Sequence, residues 1–220
     1  MKRLKIKGIE KEFHIESGNV YDIQIESNTF YHQLVLGLIN EDSDMFSLSE
    51  NFNSLDFQKE CLFISDILTI SPNNKKILNA LYKRIQEKFL TNENKNLLLN
   101  INEKFLSLLE QISLDVNLET DYLTDISIND VLSLYKFSFK EGEEDFLNKI
   151  ITYIKANQEI KKLSTIITLN FLPLLKENEI LLLQKELELL NLTMINFNIR
   201  VKHQIKGIEY LTIDMDLCEF

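Results

Sequence analysis

Glycine and proline are scarce, tryptophan is absent and cysteine is rare: the 220-residue chain has 5 Gly, 2 Pro, 2 Cys and no Trp. Few glycines leave few places where backbone can close tightly round a ligand. The pattern GxxxxGK followed by Ser or Thr, whose backbone amides cradle nucleotide phosphates, is missing. Cys61 and Cys218 stand far apart, which excludes a disulfide framework and a paired-cysteine metal site, and Cys61 reads as core. No HExxH and no glycine-bracketed serine accompanies His14, His32 or His203, so these read as surface or structural histidines. Apolar runs stop at four residues, well short of the roughly 20 that span a bilayer. The basic start MKRLKIK is not followed by the apolar block of a signal peptide, and the expected compartment is the cytoplasm, with no membrane partner.

Bases are also in deficit, 24 Lys and Arg against 34 Asp and Glu, for a net charge of −10. Taken as a sum, that argues against nucleic acid, because phosphate contacts need concentrated cations. Distribution qualifies the sum: Lys2, Arg3, Lys5, Lys7 and Lys11 crowd the first residues, whereas the stretch from Asp115 to Asp125 holds acids and no base. An acidic protein can carry one basic face.

What the chain does have is apolar mass, 45% of residues with 14 Phe, enough for a real core. Its periodicity changes along the sequence. Residues 3–7, 11–15 and 20–26 alternate as strands, punctuated by Gly8 and Gly18; residues 30–39 read as a helix, and MFSLSE as a short strand. CLFI, 61–64, is an unbroken apolar run that predicts a central strand buried on both faces. After Ser71-Pro72, read as an N-cap and first helical residue, helical periods place long helices over Ile77 to Phe89 and Leu98 to Ile112, expected as an antiparallel hairpin. Ser127 and Asp130 resemble a capping box, and a further helix covers 143–159. Strands return at 163–170, 192–199 and 208–213 around a helix over 176–190. The predicted fold class is α/β: one α/β domain built from both chain ends, residues 1–71 and 160–220, with an α-helical domain of residues 72–159 inserted.

Two short stretches carry the chemistry. IESNTFYHQLV is a strand, tight turn and helix in the layout of a phosphate loop, with none of its glycines or its lysine. CLFISD delivers Asp66 at a strand end, as a nucleotide hydrolase delivers a metal-binding aspartate, although a cap is the commoner use of such a residue. The layout looks like a nucleotide-hydrolase core without its chemistry, and no enzymatic activity is expected. LDVNLETDYLTDI, 114–126, offers hard oxygen donors of the kind calcium takes, without the EF-hand order; on composition alone a solvated acidic linker is the better fit.

Taken together, IESNTFYHQLV, CLFISDIL, the acidic segment leading into DISINDVL, and LSTIITLNFLPLLKENEILLL running into LTMINFNIR resemble the CRISPR-associated accessory protein of type II-A systems. That family is a ring-forming binder of double-stranded DNA ends acting in spacer acquisition for antiviral defence. The resemblance implies a degenerate nucleotide-hydrolase-like α/β domain with an inserted helical domain, a homotetramer round a central hole, and partnership with the integrase and effector nuclease of the same system. It implies structural calcium near the domain junction, carried onto Glu119, Asp121 and Asp125, with Asp115 as a further candidate. It implies lysines lining the hole, for which Lys59, Lys75, Lys76, Lys155, Lys161 and Lys162, near the predicted junctions, are the candidates. Arg200, Lys202 and Lys206, interleaved with Val201 and Ile205, form a second stripe that suits a guarded edge strand equally. Two other classes stay open: a nucleotide-dependent enzyme resting on Asp66, and an interaction scaffold using the long helices.

Overall fold

The structure is a computed structural model and describes residues 2–89, 91–140, 145–199 and 207–219. Two sheets and two compact units organise it. An antiparallel sheet has the order β2-β1-β4-β5, from β1 (Lys2–Ile6), β2 (Phe13–Ile15), β4 (Phe46–Glu50) and β5 (Asn53–Ser54). A parallel sheet has the order β6-β7-β8-β3-β9, from β3 (Val20–Ile25), β6 (Cys61–Ile64), β7 (Thr165–Leu169), β8 (Thr193–Ile199) and β9 (Glu209–Ile213). The helices are α1 (Asn28–Ile39), α2 (Phe57–Glu60), α3 (Lys75–Phe89), α4 (Asn92–Leu114), α5 (Ile128–Leu134), α6 (Phe146–Ile160) and α7 (Glu177–Leu189).

The period of two in the strands decides the layers. Ile23, Ile25, Ile167, Ile195 and Phe197 face a core shared with α1 and the antiparallel sheet, where Leu4, Ile6, Phe30, Leu34 and Phe46 are buried. Val20, Leu62, Ile64, Ile166 and Met194 face the opposite way, onto Ile150 and Ile154 of α6 and Ile180, Leu183 and Leu187 of α7. Because both faces are covered, a strand of this sheet can read as an unbroken apolar run. That explains CLFI, and it also corrects the expectation for it: β6 is covered on both faces yet, among the described residues, lies at the edge of the sheet and pairs with β7 alone.

One unit comprises Met1–Ser71 with Glu141–Phe220, the other Pro72–Lys140. The inserted segment was expected to run to residue 159; instead it ends at Lys140, and α6 belongs to the sheet-bearing unit, where Leu147, Ile150 and Ile154 are fully buried. Within the second unit α3 packs on α5 rather than forming the expected hairpin with α4. Gln86 of α3 accepts from Asn129 Nδ2 at 3.1 Å, and the Tyr82 hydroxyl donates to the Phe137 carbonyl at 2.6 Å. The α3 N-terminus is capped by Asn74, whose Oδ1 accepts from Ile77 N at 3.0 Å, not by Ser71. Asn73 clips the segment's two ends through its amide, accepting from Phe139 N at 2.8 Å and donating to the Phe139 carbonyl at 2.9 Å. The capping box at α5 forms as expected, with Ser127 N donating to Asp130 at 2.8 Å and Asp130 N to Ser127 Oγ at 3.2 Å.

Candidate functional site

The turn from β3 into α1 satisfies itself. Ser27 caps the helix by accepting from Phe30 N at 3.3 Å, and Glu26 N donates to the Ile213 carbonyl at 2.9 Å. From the first turn of α1 the Tyr31 hydroxyl accepts from Asn170 Nδ2 at 2.8 Å, while Asn170 Oδ1 accepts from Ile199 N at 3.1 Å. Asn170, just past β7 and in the left-handed region at φ 48°, thus ties α1, β7 and β8 together at the carboxyl end of the sheet. In open α/β sheets this end is where ligands bind; here it carries a hydrogen bond between a tyrosine and an asparagine. Asp66 accepts from Leu68 N at 3.0 Å, a turn made by its own side chain, and it is exposed. His14 and His32 are exposed on β2 and α1; His203 lies outside the described residues.

A buried polar network beside this turn went unnoticed in the sequence. Asp22 is 2% exposed and accepts from Asn196 Nδ2 at 2.7 Å, Asn198 Nδ2 at 2.5 Å and Gln24 Nε2 at 3.1 Å. Asn196 Oδ1 in turn accepts from Thr168 Oγ1 at 2.9 Å and Phe171 N at 3.0 Å. Burial holds the Asp22 carboxyl above its ordinary value, against the amide donors that favour its ionised form. Alternation in VYDIQI sets Asp22 and Gln24 on one face, and in MINFNI Asn196 and Asn198 on one face; the parallel register of β3 with β8 brings the two faces together.

The candidate lysines separate by unit. Lys75 and Lys76 are exposed in the first turn of α3, in the second unit. Lys59, Lys161 and Lys162 come together in the first: Lys161 Nζ donates to the Gln58 carbonyl at 2.7 Å, beside Lys59 on α2, and Lys162 is exposed next to it. Lys59 also pairs with Asp56 at 2.8 Å, which raises its ammonium and lowers the carboxyl. Lys155 is drawn to Glu186 of α7 at 2.7 Å. The basic amino terminus is thinner than it reads: Lys2 is 2% exposed, and its ammonium donates to the Ser164 carbonyl and to Thr165 Oγ1 at 3.3 Å. Desolvation lowers it below an ordinary lysine. Lys5, Lys7 and Lys11 are exposed. Arg200, Lys202 and Lys206 lie outside the described residues.

Asp115, Glu119, Asp121 and Asp125 are all exposed on the segment between α4 and α5, which is tied down by Asn102 Nδ2 donating to the Thr124 carbonyl at 2.8 Å. Their chemistry suits calcium, but no group of three or more acids, histidines or cysteines is placed to hold a metal among the described residues. As folded, the donors fit in kind and not in position.

The family model for CRISPR-associated protein (Cas_Csn2) matches residues 39–217. The chain belongs to that family. Among solved structures it is similar to Stu0660 of Streptococcus thermophilus, 12% identical with a TM-score of 0.56, covering 96% of this chain and 74% of that one. It is also similar to cbiO1 of Clostridium perfringens, part of the ABC transporter complex cbiONQ, at 12% identity and a TM-score of 0.46, covering 97% and 83%. A nucleotide-free ATP-binding cassette from an ABC transporter matches at 12% identity and 0.47, covering 100% of this chain and 91% of that one. No curated protein matches. The fold is of the expected α/β class, with helices on a parallel sheet, and the family is that of a CRISPR-associated protein. No helix among the described residues is long and apolar enough to cross a membrane.

Proposed function

We propose that the protein is a non-catalytic, sequence-independent binder of double-stranded DNA ends that assembles as a homotetrameric ring and supports spacer acquisition beside the integrase and effector nuclease. The observation that carries the non-catalytic half is the turn before α1: it lacks the phosphate loop's glycines and lysine, and Tyr31 bonds across it to Asn170 at 2.8 Å. Family membership supports the CRISPR half. The cluster of Lys59, Lys161 and Lys162 supports phosphate contact, with Lys75, Lys76 and Lys155 as further candidates. Self-association is supported by α4, which exposes Leu97, Phe105, Leu108 and Ile112 on one face.

Calcium belongs to the same proposal. Asp115, Glu119, Asp121 and Asp125 are its donors, and their segment must draw together for them to converge; calorimetry with calcium, on the native chain and on Asp121→Asn with Asp125→Asn, tests it.

Fluorescence anisotropy of a linear duplex across a salt series tests the contacts. Each phosphate contact adds about 0.9 to the slope of log affinity against log salt. Lys161→Ala with Lys162→Ala is expected to flatten that slope by about 2; an unchanged slope removes these lysines from the interface. Titration with ATP is expected to give no heat, and hydrolysis abolished by Asp66→Ala would replace this reading with an enzymatic one.

A further inference from the structure

Between the end of α1 and the antiparallel sheet lies a cavity of about 110 Å³. Its apolar lining comes from Leu38, Phe46, Leu48, Leu55, Phe57 and Cys61. Burial pushes the Cys61 thiol up to about 12, so it stays neutral and behaves as one more apolar wall. Two carboxylates, Glu41 and Asp42, stand at the rim, and both are exposed.

The rim is preformed. Asp42 N donates to the Gly37 carbonyl at 2.8 Å, and the Asp42 carbonyl accepts from Met45 N and Phe46 N at 3.1 Å each. Gly37 permits this fold-back, because a Cβ there would sit 2.5 Å from Met45 Cγ. Asp42 Oδ1 accepts from Asp44 N at 3.0 Å, and Glu41 Oε2 from Gln58 Nε2 at 2.6 Å, so both acids are held in place before anything binds.

We propose that this cavity is a docking socket for a partner protein that inserts one leucine-sized side chain carried between lysines or arginines. Size selects the anchor: a cavity of about 150 Å³ takes benzene, and this smaller one suits a branched aliphatic group. Charge selects its flanks, since the carboxylates at the mouth, on a chain of net charge −10, complement a basic segment and oppose an acidic one. A single side chain filling a desolvated pocket is the usual form of a binding hot spot. The inference does not rest on DNA binding.

The test uses the full chain and a fluorescein-labelled peptide with lysines on both sides of a single leucine, read by anisotropy. The leucine peptide is expected to bind about tenfold tighter than the same peptide with alanine. Ser54→Phe, which fills the mouth from the exposed strand β5, is expected to erase that difference with an unchanged melting temperature. Asp42→Asn, which keeps the turn's hydrogen bonds, is expected to weaken the peptide about threefold and to reduce its salt dependence. Equal binding of the leucine and alanine peptides overturns the proposal, as does full binding by a folded Ser54→Phe. Binding of 3-methylbutylamine as tight as that of the peptide also overturns it, by assigning the cavity to a small amine. If Ser54→Phe fails to fold, the peptide pair together with Asp42→Asn still decides.

Discussion

The hydrogen bond between Tyr31 and Asn170 stands at the carboxyl end of the parallel sheet, where a nucleotide hydrolase would open its site. Tyr31→Phe removes it and leaves the Asn170 amide short of a partner, which is expected to cost about 1 kcal/mol in urea unfolding and to bring no ATP binding by calorimetry. Nucleotide binding by that variant would mean that the turn is occluded rather than degenerate. Asp22 makes a separate prediction through pH. Its carboxyl is raised in the folded state, so its contribution to stability is fullest below the unfolded value near 3.8 and declines as the pH rises through the higher folded value. Asp22→Asn is therefore expected to abolish that decline in unfolding midpoints measured from about pH 4 to about pH 7; an unchanged slope would place the titration elsewhere. Asp22→Ala, which strips the Asn196 and Asn198 amides of their acceptor, is expected to cost about 3 kcal/mol. Both residues sit in legible positions, but only in hindsight. A carboxylate in VYDIQI shows its face by alternation and not its partners, which arrive from β8 far along the chain. Lys2 is the same case, since Lys2, Leu4 and Ile6 alternate inward in KRLKI and the lysine takes the inner face with them.

At the scale of elements, the local capping signal holds at α5 and fails at α3, where Asn74 and not Ser71 is the cap. Ser127 and Asp130 formed their box because a cap depends on four neighbouring residues. The sequence of α6 does not show which unit it joins, because an amphipathic stripe looks the same whichever core it faces. CLFI was expected at the centre because burial of both faces is visible in composition, whereas strand order depends on connections that composition does not carry. Beside the packing of α3 on α5, specific bonds hold the second unit, among them the Asn73 clip to Phe139. Asn73→Ala is expected to destabilise that unit by about 2 kcal/mol, read as faster amide exchange in α3 and α5 with β7 and β8 unchanged. Equal loss of protection in both units would show that they unfold together. The exposed apolar face of α4 makes its own prediction: Phe105→Asp with Leu108→Asp is expected to convert the proposed tetramer to a monomer by light scattering without loss of helicity. Retention of the oligomer would move the interface elsewhere.

For the whole molecule, the distribution of charge can matter more than its sum. An acidic chain that gathers Lys59, Lys161 and Lys162 around α2 and the end of α6 can meet phosphate on one surface while repelling it over the rest. Fold and family were legible because they rest on the order of apolar segments over most of the chain. For the proposed calcium donors Asp115, Glu119, Asp121 and Asp125 the sequence shows suitable chemistry within one short segment, and no metal-holding group of three is gathered among the described residues. The most direct test of the central claim is a mobility shift at low salt with linear and covalently closed duplexes of one sequence, with calcium and then with chelator, alongside mass by light scattering. A tetramer that binds the linear duplex and ignores the closed circle is the predicted result, because a ring must be threaded from an end. Equal binding to both forms, or a monomer that binds neither, would contradict it.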